Sequence, residues 1–335
     1  MSVRPSDDAQ TILAQALAID PAAETDRIVT ALRQQLRGIR KRGLTLGLSG
    51  GIDSSVSVAL AARAVGPQNV LCLFMPENDS DPESLRLGRL VADNFGVEAI
   101  VEDIGPALRA MGCYERRDAF IRELVPEYGE GWASKIVIAN ALEGEGYNIS
   151  SLVVQDPKGK QTKIRMPLPV YLGVVAATNM KQRTRKQIEY YHADRLNFAV
   201  LGTPNRLEYD QGFFVKNGDG AADVKPIAHL YKTQVYALAA YLGVPEEIRK
   251  RPPTTDTYSL AQTQEEFYFS LPYDRMDICL FGLNKGVAAE VVGQAAGLDA
   301  SQVERVWADI TAKRKATRNL HLRPQLVDEV EEVGT

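Results

Sequence analysis

A chain of 335 residues can bury a large core, and its 45% apolar and 24% charged residues place it among ordinary globular proteins, away from disordered and membrane classes. Its 39 basic and 43 acidic side chains leave a net charge of −4, without the basic footprint of a general nucleic-acid binder, so no nucleic-acid partner is expected. Cys72, Cys113 and Cys279 are too widely spaced for a zinc cluster or a disulfide framework, and neither an apolar leader nor a run of about 18 apolar residues is present, so a cytoplasmic location without membrane contact is expected.

Taken in chain order, Thr25 to Arg40 reads as an amphipathic helix, with Ile28, Ala31, Leu32, Leu36 and Ile39 at helical spacing, packed on the core or on a partner. The apolar run Leu44 to Leu48 reads as a buried strand, followed by a glycine turn and a helix from about Ser54 to Val65. A strand at Val70 to Phe74, a helix from about Pro82 to Phe95 and a strand at Val97 to Val101 continue the alternation. Such alternation indicates βαβ units and a parallel sheet.

Between about Gly105 and Pro169 the pattern loses regularity. Val153 to Met166 looks like a hairpin around Asp156-Pro157-Lys158-Gly159-Lys160, and the whole stretch reads as an excursion from the sheet. Regularity returns with a helix from about Val170 to Arg195, a strand at Asn197 to Leu201, a helix from about Lys232 to Leu242 and a helical tail from about Gln302 to Thr317. The expected fold is α/β, a Rossmann-like parallel sheet with helices on both faces. It is expected to form one domain over residues 1–335, with a non-sheet excursion at about 105–169 and a helical C-terminal tail.

The first chemistry-bearing motif is Ser49-Gly50-Gly51-Ile52-Asp53-Ser54-Ser55, between the first strand and its helix. Glycines let backbone N–H groups approach a phosphate, a helix N-terminus adds partial positive charge, and Ser49, Ser54 and Ser55 add hydroxyl donors. Asp53 would repel phosphate unless a cation intervenes, and Mg²⁺ commonly shares carboxylates with substrate phosphates. The loop lacks the Gly-Lys-Ser/Thr ending that grips terminal phosphates in kinases and GTPases. Instead it resembles the PP-loop of ATP pyrophosphatases, which implies attack on the α-phosphorus and release of pyrophosphate. A plain glycine-rich turn is the bland rival.

Farther along come Leu201-Gly202-Thr203, Glu208 five residues after the Thr, Gly212-Phe213-Phe214, Lys216, Gly218-Asp219-Gly220 and Asp223. Together with the loop, this order resembles the NAD synthetases. Asn179 to Arg185, Lys232 and Pro253-Thr254-Thr255-Asp256 extend the likeness, which covers roughly Gly43 to Asp103 and Thr178 to Asp256. The resemblance implies an adenine nucleotide alpha-hydrolase-like fold and an ammonia-dependent ligase. That ligase adenylates the carboxylate of nicotinic acid adenine dinucleotide with ATP and Mg²⁺, then aminates it to NAD with release of AMP and pyrophosphate. A homodimer is implied, with the Thr25 to Arg40 helix and the helix through Arg183 as interface candidates.

Carried over by position, the resemblance implies that Ser49, Gly50, Gly51, Asp53, Ser54, Ser55, Thr203, Thr254 and Lys232 bind ATP. Asp53 and Glu208 would hold Mg²⁺, and Asp53, Lys232 and Asp223 would be the catalytic groups. Tyr190, Arg183, Arg185, Lys216 and Asp223 would contact the dinucleotide. Each has an ordinary structural alternative: a helix cap for Asp53, a surface acid for Glu208, a solvated helix residue for Lys232, a salt-bridged face for the two arginines, a core aromatic for Tyr190, a turn cap for Asp223 and a loop residue for Thr254. His192, His229 and His321 show no metal-ligand spacing.

The excursion departs from the compact form of the family and is expected either to cover the site or to remodel the dinucleotide pocket. No stretch resembles a glutaminase, which leaves room for a separate glutaminase partner. Two alternatives stay open on sequence: a PP-loop ligase or amidotransferase acting on a different carboxylate, and a non-catalytic nucleotide-binding protein.

Overall fold

The computed structural model describes residues 13, 17–137, 150–252, 258–260, 268–269 and 271–330. Four parallel strands form the central sheet in the order β3-β2-β1-β7, where β1 is Leu44–Gly47, β2 Val70–Phe74, β3 Glu98–Val101 and β7 Ala199–Val200. Leu44 of β1 faces Val70 on one side and Ala199 on the other, so β1 lies inside the sheet. The expected fourth strand shrinks to two residues, extended only by a lone bridge between Leu201 and Val224.

Alternation along β2 explains why helices cover both faces. Val70, Cys72 and Phe74 enter one apolar core with Ile28 and Leu32 of α1 (Pro21–Gly38), Val56 and Leu60 of α2 (Ile52–Val65), and Val91 of α3 (Pro82–Phe95). Leu71 and Leu73 point the other way, into a smaller core with Leu108, Cys113 and Phe198. The apolar stripe of α1 is therefore spent on the core. Asp20 caps this helix, accepting from the N–H groups of Ala22 and Ala23 at 2.9 and 3.2 Å.

The excursion holds α4 (Gly105–Ala110), α5 (Cys113–Arg122) and a sheet of its own, which differs from the non-sheet character expected. Its strands β4 (Ala133–Val137), β5 (Ser151–Gln155) and β6 (Gln161–Arg165) are antiparallel in sequence order. The expected hairpin is β5–β6, closed by Asp156, whose carboxylate accepts from the N–H groups of Lys158 and Lys160. One face is sealed by Ile136, Leu152 and Val154 against Ile121, Val170 and Val174.

Those last two valines belong to α6 (Leu168–Leu196), whose 29 residues span about 44 Å and link the added sheet to the central one. Asn197 stops it in the left-handed region at φ 53°. Beyond β7 come α7 (Arg206–Gln211), α8 (Lys232–Leu242), α9 (Glu246–Lys250), α10 (Tyr273–Lys285), α11 (Ala289–Ala296) and α12 (Ala300–Thr317). The last three pack around Met276, Leu280, Val292, Val303 and Ile310. No helix among the described residues is long and apolar enough to cross a membrane.

Candidate active site

Strand β1 and strand β7 are neighbours, and the chain leaves them toward different parts of the molecule. Ligands of open α/β sheets gather at the carboxyl ends beside such a switch. A cleft of about 770 Å³ opens there, within the size range of nucleotide-sized pockets. Ser49, Gly50, Gly51, Asp53 and Ser54 form one wall, and Thr203, Glu208, Lys216 and Asp219 line it from beyond β7.

Gly50 explains the shape of the loop. Its φ is +74°, and a Cβ there would meet Leu87 Cβ and Ser84 O at 2.8 Å and Gly88 N at 2.9 Å. The loop is thereby pressed against the first turns of α3, while Ser49 and Gly51 stay exposed at the cleft. Gly51 N–H donates to Ser49 Oγ at 3.3 Å, and the hydroxyls of Ser49 and Ser54 are 3.2 Å apart. Ser55 departs from its expected role as a phosphate donor. It is buried and absent from the cleft lining, with its hydroxyl donating to Gly51 O at 2.8 Å, a bond four residues back along the helix.

Three charged groups meet at the loop's end. Lys232, the first residue of α8, is fully buried and donates its ammonium to Asp53 Oδ2. Asp53 Oδ1 accepts from Asn205 Nδ2 at 3.2 Å. Asn205 caps α7, accepting from Glu208 N–H, and in return Glu208 Oε2 accepts from Asn205 N–H at 3.1 Å. Asn205 was not singled out in the sequence, although Asn-x-x-Glu is a capping-box signature.

The trio sets two acids against one base. Burial, and after it the charge of Asp53, push the Glu208 carboxyl well above the usual carboxylate range. Burial works against the Lys232 ammonium, but Asp53 and Glu208 outweigh it and raise its proton affinity. Asp53 balances the ammonium, and Glu208 is a second acid beside them that an arriving cation can ionise. Two acids at one place fit a divalent cation held by one or two protein carboxylates and completed by phosphate and water. An all-protein cage does not fit, since no group of three or more His, Cys, Asp or Glu residues placed for a metal occurs among the described residues.

Asp277, from α10, sets the position of Lys232. It is buried, accepts from the N–H groups of Lys232 and Thr233 at 3.2 and 2.7 Å, and takes the Thr233 hydroxyl at 2.8 Å. Burial pushes its carboxyl up to about 6. No local motif marks this residue, because its partners lie 45 and 44 positions away.

Other expected residues divide into two places. Arg183 and Arg185 line the cleft from α6, with their Nε atoms donating to Lys216 O at 3.2 Å and Met75 O at 3.3 Å. Lys216 lies between them and the C-terminal region, its ammonium donating to Asn319 O at 2.8 Å. Tyr190 and Asp223 sit together outside the cleft lining. The phenol donates to Asp223 Oδ1 at 3.4 Å, while Asp223 Oδ2 accepts from Val200 N–H at 2.7 Å. Burial and then Asp223 push the Tyr190 hydroxyl up to about 12. Thr254 falls outside the described residues.

Glu77, Lys186 and Glu189, none of them flagged by a sequence motif, bring further charges to the cleft. Glu77 and Asp79, just beyond β2, pair with Lys181 of α6 at 3.0 and 2.6 Å, and Asp79 also pairs with Arg117. Burial raises the Asp79 carboxyl, but Lys181 and Arg117 prevail and hold it below its ordinary value. Lys186 and Glu189, one helical turn apart and both buried, pair at 2.6 Å on the cleft wall.

The sequence matches the family profile described as NAD synthase over residues 24–125 and 154–319. It is 81% identical over 333 residues to an NH(3)-dependent NAD(+) synthetase of Rhizobium meliloti (strain 1021), covering 99% of this chain and 100% of that protein. Among solved structures it resembles an NMN synthetase from Francisella tularensis, with TM-score 0.62 and 23% identity over 92% of this chain and all of that one. It also resembles the NH3-dependent NAD synthetase from Campylobacter jejuni subsp. jejuni NCTC 11168, with TM-score 0.60 and 22% identity over 93% of this chain and all of that one. These two likenesses establish the fold, an α/β parallel sheet with helices on both faces. The profile match and the high identity over full length show that the chain belongs to the NAD synthase family.

Proposed function

We propose that this chain is an ammonia-dependent NAD synthetase, a ligase using ATP and Mg²⁺ to convert nicotinic acid adenine dinucleotide to NAD. The observation that carries the reading is the trio Asp53, Glu208 and Lys232 at the end of the Ser49-Gly50-Gly51 loop, in a chain of this family.

The reaction has two balanced steps. An oxygen of the nicotinate carboxylate attacks the α-phosphorus of ATP, forming an acyl-phosphate bond as the bond to pyrophosphate breaks. Ammonia then attacks the activated carbonyl carbon, a C–N bond forms, and the C–O bond to AMP breaks with loss of a proton. Backbone N–H groups at the start of α2, with the Ser49 hydroxyl, would take the pyrophosphate oxygens, while the Ser54 hydroxyl, which lines the cleft, donates to Gly51 O at 2.9 Å. Asp53 and Glu208 would hold Mg²⁺, which when bound neutralises phosphate charge during departure of pyrophosphate. The buried Lys232 ammonium, held on Asp53, supplies a fixed positive charge at the end of the loop. Thr203 lies on the ATP side of the same wall in this reading, and Arg183, Arg185 and Lys216 offer cationic contacts to the acid dinucleotide.

Purified protein supplied with ATP, Mg²⁺, ammonia and nicotinic acid adenine dinucleotide is expected to form NAD and AMP in equal amounts, followed by chromatography. Folded protein that makes no NAD would refute the assignment. Pyrophosphate release driven by another carboxylic acid would favour the wider PP-loop ligase reading.

Tyr190 and Asp223 bear on assembly. Outside the cleft, they suit a dinucleotide that extends across a surface shared with a second copy. The exposed apolar side chains Leu168, Leu172 and Tyr191 lie on the same long helix α6. A homodimer through α6 is therefore part of this proposal, in preference to α1, whose apolar stripe faces the core. Sedimentation equilibrium is expected to give the mass of two chains, and a one-chain mass at micromolar concentration would overturn it.

A further inference from the structure

The NAD synthase profile does not match residues 126–153, which contain β4 and part of β5. That added sheet nonetheless packs behind the cleft wall, against Tyr171, Val175 and Tyr258. Ser134 of β4 uses its backbone for residues far along the chain: its N–H donates to Ser259 Oγ at 2.9 Å, and its carbonyl accepts from Leu260 N–H at 3.2 Å. These bonds cover an edge strand that otherwise presents open donors and acceptors. The Tyr128 hydroxyl donates to Ser134 Oγ at 3.0 Å and fixes the strand from its other side.

Side chains reinforce the junction. Leu260 is buried against Val137 and Val153. Tyr258 is buried with Ile136, Leu152 and Val174, and also lines the cleft beside Tyr171 and Val175. Upstream, Arg251 lines the cleft and pairs with Asp81 at 2.8 Å, at the start of the helix against which Gly50 is pressed. Tyr258 thus sits on the same stretch of chain as a residue bonded beside the phosphate loop.

We propose that β4 is an anchoring edge for the ATP side of the cleft, and that Ser259 and Leu260 are positioning residues that hold Tyr258 in its wall without lining the cleft themselves. The inference rests on the ligase reading for the identity of the nucleotide. If a wall residue is correctly placed in only a fraction of molecules, apparent affinity falls by that fraction while turnover at saturation is preserved. The anchor keeps that fraction near one.

The test combines Ser259→Ala with Leu260→Ala. Titration calorimetry with Mg²⁺ and α,β-methylene-ATP, which cannot lose pyrophosphate, is expected to show Kd raised roughly tenfold, about 1.4 kcal/mol. KM for ATP is expected to rise in parallel, with KM for the acid dinucleotide and kcat within about twofold of wild type. Ser259→Thr with Leu260→Met, which keeps the acceptor and the apolar volume, is expected to restore Kd. Unchanged analogue affinity in the folded double variant would overturn the inference, as would a fall in kcat that merely tracks the folded fraction. Ser259→Ala alone, which leaves the apolar packing intact, carries the same test at roughly threefold if the double variant does not fold. Failure of the ligase reading shows separately, as wild-type protein that binds the analogue and makes no NAD.

Discussion

Asp53→Asn is expected to lower kcat/KM for ATP by about 10³-fold or more, with pyrophosphate release lost and the melting temperature within a few degrees of wild type. Asn keeps the size of the side chain and an acceptor for Asn205 Nδ2, but it removes one of the two anionic groups able to hold Mg²⁺. The fold tolerates this for an electrostatic reason. Lys232 loses its ion-pair partner, yet Glu208 is close enough to be raised by Asp53 and in turn to stabilise the ammonium. Removing the Asp53 charge relieves Glu208, which can then ionise as the counter-charge to Lys232. One carboxylate and one ammonium remain, so no buried charge is orphaned. Steady-state kinetics, a pyrophosphate assay and a thermal melt check the three parts. Turnover near wild type would remove Asp53 from the cation site.

The sequence made the framework legible wherever punctuation and periodicity agreed. Strand β2 and helices α3 and α8 have the bounds their residues suggest. Asp81 followed by Pro82 marks the start of α3, and Gly96 and Gly243 stop the two helices in the left-handed region. Helices α10 and α11, for which the sequence reading assigned no element, each carry an internal glycine, Gly282 and Gly293. In the fold they are places of close approach: a Cβ on Gly282 would stand 2.3 Å from Val292 Cγ2. Strand β4 was illegible because it pairs with β5 and with residues 125 positions away, and nothing within its own five residues declares either partner.

At the site, Asp53, Glu208 and Lys232 were reached through motif order, and the fold joins Lys232 to Asp53 across 179 positions. What motif order could not show is how they are held. Asn205 ties the two carboxylates together, and Asp277 fixes the backbone from which Lys232 reaches out, both through contacts between distant parts of the chain. Ser55 shows the converse: a hydroxyl in the right motif is turned inward by helix geometry.

Lys232→Met is expected to be worse for the fold than Asp53→Asn, since it removes the only charge of its sign in the trio. Asp53 and Glu208 are then left facing each other without the ammonium. Breaking a buried pair by removing one partner costs about 3 kcal/mol or more, and melting is expected to fall on the order of 5–10 °C. Activity is expected to drop by at least about 10²-fold, since the fixed charge at the leaving pyrophosphate is gone. The informative part is the response to Mg²⁺ without nucleotide. In wild type the ammonium already occupies the carboxylate field and competes with a second cation. In Lys232→Met the two acids are open to Mg²⁺, and binding to the folded state alone raises its stability. Mg²⁺ titrated into the variant is therefore expected to recover several degrees of the loss, while the wild-type melt moves little. Equal Mg²⁺ responses in both proteins would mean that Asp53 and Glu208 do not act on one ion. A variant as stable as wild type would mean that Lys232 is not the counter-charge its burial indicates.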